Sequence, residues 1–136
     1  MSIVCREDKY KWQYYANRYD EEALTQFRNA VGAIKQICED EKWIIDCKLN
    51  QQYVGFKLGR RLIVWVHWLG TYNWEIALHI PESIAENLSL STWNFRGYID
   101  DASRFAPVNR HSLDATELKK LLNLSYENVR IIRRRR

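Results

Sequence analysis

The residues with the clearest chemical role are four consecutive arginines, Arg133, Arg134, Arg135 and Arg136. Guanidinium groups bind phosphates, so this tail predicts salt-sensitive affinity for RNA, DNA or an anionic membrane surface. The charge of this tail accounts for the whole formal net charge of +4, and the rest of the chain has a net charge of zero. A frayed, solubilising terminus is the alternative. We favour an anionic partner, because a neutral domain does not need four mutually repelling charges for solubility.

A second set of nucleic-acid contacts is predicted around a hairpin. Arg60 and Arg61 follow Gly59 between two alternating segments, where a turn would expose them. Lys57 and Trp65 lie on the flanking segments, and an aromatic ring among basic side chains is typical of surfaces that stack single-stranded bases. Exposed turns also carry arginines by default, which is the alternative for this pair.

Catalytic and metal-binding motifs are weak by comparison. Asp46-Cys47-Lys48 matches the end of a metal-dependent nuclease motif, whose chemistry needs a second acid upstream. Asp40 and Glu41 are present, but no Pro-Asp precedes them. His67 opposite Glu75 is either an oriented base or an ordinary cross-strand pair. The Cys and His residues lack the paired spacing of a zinc site. We therefore predict no catalytic centre, metal or cofactor, and a metal-dependent nuclease is the third functional hypothesis.

Aromatic residues are frequent, with six Trp and eight Tyr in 136 residues. Tyr10, Trp12, Tyr14 and Tyr15 crowd the N-terminal segment, whose spacing fits both a strand and a helix. Aromatics beyond the needs of a small core are typical of protein interfaces. The second functional hypothesis is therefore a protein-interaction module, such as an inhibitor or small subunit of a phage or mobile-element complex.

Composition limits the remaining possibilities. The length suits one domain over 1–136 with a basic tail at 131–136. No apolar run approaches the ~20 residues of a membrane span, and the charged start argues against a signal peptide. Three cysteines without paired spacing predict reduced thiols. We expect a cytoplasmic protein.

Hydrophobic periodicity predicts the elements that position these residues. Asp20, followed by two glutamates, begins a helix predicted over 20–40, because the apolar residues behind it share one face. Three alternating segments then form a meander: 53–58, 62–69 and 74–80.

Further elements complete the predicted fold. Pro81 opens a short helix, and residues 93–110 form another strand pair in which Pro107 requires a sheet edge. Asp114 begins a capping box ahead of a C-terminal helix. This order predicts an α+β fold in which an antiparallel sheet packs with an N-terminal and a C-terminal helix.

The alternation also predicts the register of the meander, because a slip of one residue inverts both faces. Leu58 opposite Leu62 and Trp68 opposite Trp74 give a core face for the first helix to cover. The other face then has three cross-strand rows. The first is Tyr53, His67 and Glu75, the second is Gly55, Trp65 and Ala77, and the third is Lys57, Ile63 and His79. This outer face is either a stacking surface around Trp65 or a second core beneath the C-terminal helix.

Several of these segments together resemble a known family. The segments that carry the resemblance are Phe56-Lys57, Gly59-Arg60-Arg61, Leu78-His79-Ile80-Pro81-Glu82, Asn109-Arg110-His111 and a final helix with Ser125-Tyr126. Through them, the chain resembles the YjbR/MmcQ-like family and related domains described as predicted transport proteins. The resemblance covers about residues 50–130. It implies a double-wing α+β fold proposed for DNA binding, without known catalysis. The two hairpins would be the wings, with Arg60, Arg61, Arg110 and His111 as candidate contacts.

The leading hypothesis is therefore a small, non-enzymatic nucleic-acid-binding protein. Its phosphate affinity would come from the arginine tail, and local contacts would come from Lys57, Arg60, Arg61, Trp65 and Arg110.

Overall fold

A computed structural model of the protein describes residues 2–134, with side chains described for residues 2–131. The strands are β1 (Cys5–Arg6), β2 (Asp46–Leu49), β3 (Tyr53–Leu58), β4 (Arg61–Trp68), β5 (Trp74–Leu78), β6 (Trp93–Ile99) and β7 (Ala102–Pro107). The helices are α1 (Trp12–Arg18), α2 (Glu21–Asp40), α3 (Glu82–Ala85) and α4 (Ala115–Arg134). The predicted α+β class is confirmed. None of these described helices is both long and apolar enough to cross a bilayer.

The strands form one sheet in the order β1-β2-β3-β4-β5-β7-β6. Only the β1–β2 pair is parallel, and the other pairs are antiparallel. The predicted meander and most of its register are confirmed, since Phe56 faces Val64 and Trp68 faces Trp74. Strand β7 lies inside the sheet, so the edge position predicted for Pro107 is wrong. Its missing N–H is tolerated because the pairing of β7 with β5 ends at Phe105.

A bulge changes the register near the first hairpin. Lys57 faces Leu62, and Leu58 faces Arg61 instead of the predicted Leu62. Ile63 is the extra residue between the two ladders and is fully buried. The predicted outer row of Lys57, Ile63 and His79 is therefore wrong, and His79 follows the end of β5.

The first long helix begins as predicted, because Asp20 Oδ2 accepts a hydrogen bond from the Ala23 amide at 3.0 Å. Its apolar stripe packs on the sheet, where Phe27 stacks on Trp68 with ring centroids 4.5 Å apart. Tyr19 stacks on the other side of Trp68 at 3.9 Å. The N-terminal segment, left open between strand and helix, is helical from Trp12 to Arg18.

The C-terminal helix joins the core beneath α2. Tyr126 stacks on Trp43 with centroids 4.1 Å apart, and Lys119 Nζ lies 3.2 Å from Glu41 Oε1 at the end of α2. The buried side chains of α4 belong to the same core cluster as those of α2. Because both long helices share this core, the prediction that α4 covers the outer sheet face is wrong.

Two polar contacts attach α4 to its surroundings. Ser125 Oγ accepts from the His79 amide at 2.9 Å and donates to the carbonyl of Ile63, so the fully buried hydroxyl joins the helix to the ends of β4 and β5. Glu117 does not close the predicted capping box. Its carboxylate accepts hydrogen bonds from the amides and hydroxyls of Ser91 and Thr92, just before β6.

The cysteine prediction is wrong in part. The parallel pairing of β1 with β2 places Cys5 opposite Cys47, and the two form a disulfide with a Cα–Cα distance of 4.4 Å. Cys38 alone is a free thiol among the described residues, and it is fully buried on α2. Burial raises the pKa of this thiol to about 12.

Candidate functional site

The sheet surface opposite the two long helices carries most of the polar side chains singled out by the sequence. We call it the open face, and it comprises Lys48, Gly55, Lys57, Trp65, His67, Glu75, Ala77 and Arg104. It holds two shallow cavities of about 220 and 90 Å³, and every residue that lines them belongs to a strand or a loop. Helices of the described part therefore leave this face accessible.

Trp65 lies in the middle of the open face between small neighbours. Gly55, Trp65 and Ala77 face one another across β3, β4 and β5, as predicted. A side chain at position 55 would crowd the site, because a Cβ there would lie 2.7 Å from Leu62 Cδ2 and 3.2 Å from Tyr53 Cε2. The half-buried indole thus has small cross-strand partners, while Leu62 and Tyr53 fill the space above Gly55 and the His79 ring lies 5.6 Å from the indole between centroids.

A buried carboxylate lies one row away from Trp65. Glu75 is fully buried, with Arg104 Nε 2.6 Å and His67 Nε2 3.3 Å from its Oε1. Burial alone would raise the pKa of Glu75, but the contacts with His67 and Arg104 outweigh it and hold that pKa below its ordinary value. Glu75 is therefore ionised at neutral pH and fixes the two side chains that reach past it toward solvent.

Basic side chains lie on the β2 side of Trp65 on the open face. Lys57 is exposed and Lys48 is half-buried, and both face the same surface as Trp65. Arg6 binds Asp46 through both carboxylate oxygens, at 2.9 and 2.7 Å. That hydrogen bond holds the pKa of Asp46 below its usual range.

The arrangement gives no support to the nuclease hypothesis. Asp46 is occupied by Arg6, whereas Asp40 and Glu41 lie at the end of α2. Residues 2–131 contain no group of three Asp, Glu, His or Cys side chains placed to hold a metal ion. The predicted metal-dependent site is therefore not assembled in the described part of the chain.

The hairpin arginines lie at one end of the sheet, together with the second half of α4. Arg60 is exposed in the β3–β4 turn, and Arg61 begins β4. Asn128 on α4 donates to the His79 carbonyl at 2.9 Å, which brings the end of the helix to this same end of the sheet. The backbone of Arg133 and Arg134 is helical, and their side chains lie outside the described set, as do residues 135 and 136 entirely.

Arg110 and His111 are separated from the hairpin arginines. Arg110 donates to the Trp74 carbonyl at 3.3 Å, at the opposite end of the meander, and its guanidinium lies over the Trp74 ring. His111 Nδ1 lies 3.3 Å from Gln26 Nε2 on α2. The candidate contacts named by the resemblance therefore lie in two separate places, Arg60 and Arg61 at one end of the meander and Arg110 and His111 at the other.

The N-terminal aromatic residues are mostly structural. The prediction of an exposed Tyr15 is wrong, because its ring is fully buried and its hydroxyl donates to the Asn50 carbonyl at 2.7 Å. Tyr10, Trp12 and Tyr14 are half-buried. Trp12 is covered on one face by the guanidinium of Arg28, 4.3 Å from the ring centroid.

Sequence reasoning missed Arg104. Its position on the same face as Glu75 follows from the pairing of β5 with β7, which skips β6 in the chain. The sequence analysis placed residues 93–110 in a strand pair, but no local pattern indicates that β7 lies beside β5. Comparison with protein-family models, curated proteins and solved structures finds no match for this chain. The site is therefore interpreted from its own geometry, and the YjbR/MmcQ-like resemblance stays a prediction.

Proposed function

We propose that the protein binds single-stranded nucleic acid on the open face. The observation that carries this proposal is Trp65, a half-buried indole between Gly55 and Ala77 on a sheet surface that no described helix covers. Stacking a base on an accessible aromatic ring stabilises binding by about 1–3 kcal/mol and requires an unpaired strand.

Charge on the open face supports the same partner. Lys48 lies in the row of Trp65, and Lys57 lies two residues beyond Gly55 along β3. Neither lysine has an acidic contact within 4 Å among the described residues, whereas Asp46 is paired with Arg6. The turn arginines lie at the end of the sheet that α4 approaches, so the arginine tail would extend the basic surface from there. A strand that stacks on Trp65 would thus meet phosphate contacts on the β2 side and at the hairpin end of the sheet.

The test is binding of labelled single-stranded RNA, single-stranded DNA and duplex DNA by fluorescence anisotropy over a salt series. Both single strands should bind more tightly than the duplex, whose bases are already stacked. Trp65→Leu, which keeps an apolar side chain, should weaken single-strand binding roughly tenfold. The double variant Lys48→Gln/Lys57→Gln should lower the salt slope by about 1.4, since each phosphate contact contributes about 0.7 on a single strand.

The matched control removes the same charge from exposed positions on the helical side, Lys42→Gln/Lys120→Gln. It should leave the affinity of the single strand at low salt within about twofold of wild type. Truncation after residue 132 should lower the slope by about 3. Failure of the full chain to bind any of the three nucleic acids at low salt refutes the proposal. The protein-interaction hypothesis would then be pursued at the apolar groove beside the 89% exposed Ile44.

A further inference from the structure

The larger cavity of the open face has the form of a trough between an aromatic ring and a guanidinium group. Trp65, Ala77 and Arg104 are consecutive partners across β4, β5 and β7. With strands about 4.8 Å apart, the Cα atoms of Trp65 and Arg104 are roughly 10 Å apart, and Ala77 lies on the strand between them. The cavity between them measures about 220 Å³, which suits one flat heterocyclic ring.

Arg104 is held in one orientation by a buried partner. Its Nε lies 2.6 Å from Oε1 of Glu75, whose side chain has no exposed surface, while Arg104 itself is 25% exposed. Within residues 2–131, the polar contact of Arg104 is the one that its Nε makes with Glu75. Because the guanidinium is planar, anchoring Nε leaves two parallel N–H donors available to a ligand.

Charge on this trough disfavours a phosphate. The carboxylate of Glu75 neutralises Arg104, and the exposed Asp100 adds a second carboxylate at the rim of the cavity. An anion would therefore meet two carboxylates beside one guanidinium and the imidazole of His67, and both of these groups already contact Glu75. A neutral ring with two adjacent hydrogen-bond acceptors matches both the donors and the charge.

Guanine has this pair of acceptors in O6 and N7, and an arginine that donates to both is the commonest specific contact to a base. Adenine has an amino group in place of O6, and pyrimidines lack N7. Resting on the proposed function, we propose that the trough selects a guanine within the bound single strand. The ring stacks on Trp65, and Arg104 donates from its Nη groups to O6 and N7.

The experiment uses short oligouridines that carry one central guanine, inosine, adenine or 7-deazaguanine, measured by anisotropy against the full-length protein. Guanine and inosine, which share O6 and N7, should bind equally and about tenfold more tightly than adenine. The 7-deazaguanine strand should lose most of that advantage, because it lacks N7. Free guanosine monophosphate should compete only weakly, since it lacks the flanking phosphates.

Substitutions assign the preference to Arg104. Arg104→Gln/Glu75→Gln replaces the ion pair with two neutral amides and avoids a lone buried charge. This double variant should lose the guanine preference, measured as the ratio of its affinities for the guanine strand and the uridine strand. Arg96→Gln, which removes an exposed arginine from the neighbouring β6, is the matched control and should keep the preference.

Each outcome separates the two proposals. Tight binding of all strands without a guanine preference overturns this inference and leaves the proposed function standing. A guanine preference that survives in the double variant also overturns it, as does competition by guanosine monophosphate at the dissociation constant of the strand. If no strand binds under any condition, the proposed function fails, and guanine selection within a strand fails with it.

Discussion

Reduction of the Cys5–Cys47 disulfide should lower the stability of the folded protein by a large amount. The bond joins residues 42 positions apart and therefore closes a long loop in the unfolded chain. The loop-closure entropy for that length corresponds to about 4 kcal/mol at 25 °C. For a domain of this size, such a loss in the free energy of unfolding lowers Tm by roughly 12 °C.

Thermal unfolding followed by far-ultraviolet circular dichroism, with and without a reductant, measures this difference. The double variant Cys5→Ala/Cys47→Ala should unfold near the reduced wild-type temperature and should not respond to reductant. Cys38→Ala is the control, because it removes a free thiol and leaves the disulfide in place. Thiol titration of the denatured, unreduced protein should find one thiol. Three thiols, or a wild-type Tm that does not change on reduction, would refute the reasoning.

Two further predictions concern contacts of α4. Ser125→Ala leaves the His79 amide and the Ile63 carbonyl without their buried partner. The free energy of unfolding measured in urea should therefore fall by about 2 kcal/mol. The control Ser112→Ala, at an exposed position, should change it by no more than about 0.5 kcal/mol. Hydrogen bonds from the Thr92 hydroxyl and the Ser91 amide lower the pKa of Glu117 to about 2. Since this folded-state pKa lies below the ordinary 4.5, the stabilisation is present above pH 4.5 and is lost as pH falls toward 2. Glu117→Gln should flatten the dependence of the free energy of unfolding on pH in this range, as measured in urea. The exposed control Glu86→Gln should leave that dependence unchanged. A Glu117 carboxyl that titrates near pH 4.5 by NMR would contradict the prediction.

The parts of the fold that the sequence predicts are those set by local patterns. The stripe behind Asp20 and the alternation of the meander each depend on residues close in the chain. Strand β1 has two residues and pairs with a segment about forty positions away, so no local pattern reveals it or the disulfide it carries. The bulge at Ile63 could not be predicted either, because a continuous apolar run has the same pattern with or without an extra residue.

The candidate site divides in the same way. Two cross-strand rows were predicted correctly, because short turns fix the register of both hairpins. These rows are Gly55, Trp65 and Ala77, and Tyr53, His67 and Glu75. The contact of Arg110 with Trp74 could not be predicted, because residues 36 positions apart in the chain share no local pattern. The exposure of the outer face depended on which side α4 packs, and an amphipathic helix pattern carries no information about that choice.

The ring stack of Tyr19, Trp68 and Phe27 has an optical consequence. The Tyr19 and Trp68 planes differ by 4° and the Trp68 and Phe27 planes by 2°, so their electronic transitions couple through space. We expect a strong near-ultraviolet circular dichroism band that Trp68→Leu abolishes. Because the three rings come from the α1–α2 connection, β4 and α2, the band reports docking of the N-terminal helices on the sheet. The chain has six tryptophans, so the emission of Trp65 is isolated as the part that Trp65→Leu removes, and its quenching would report events on the opposite surface.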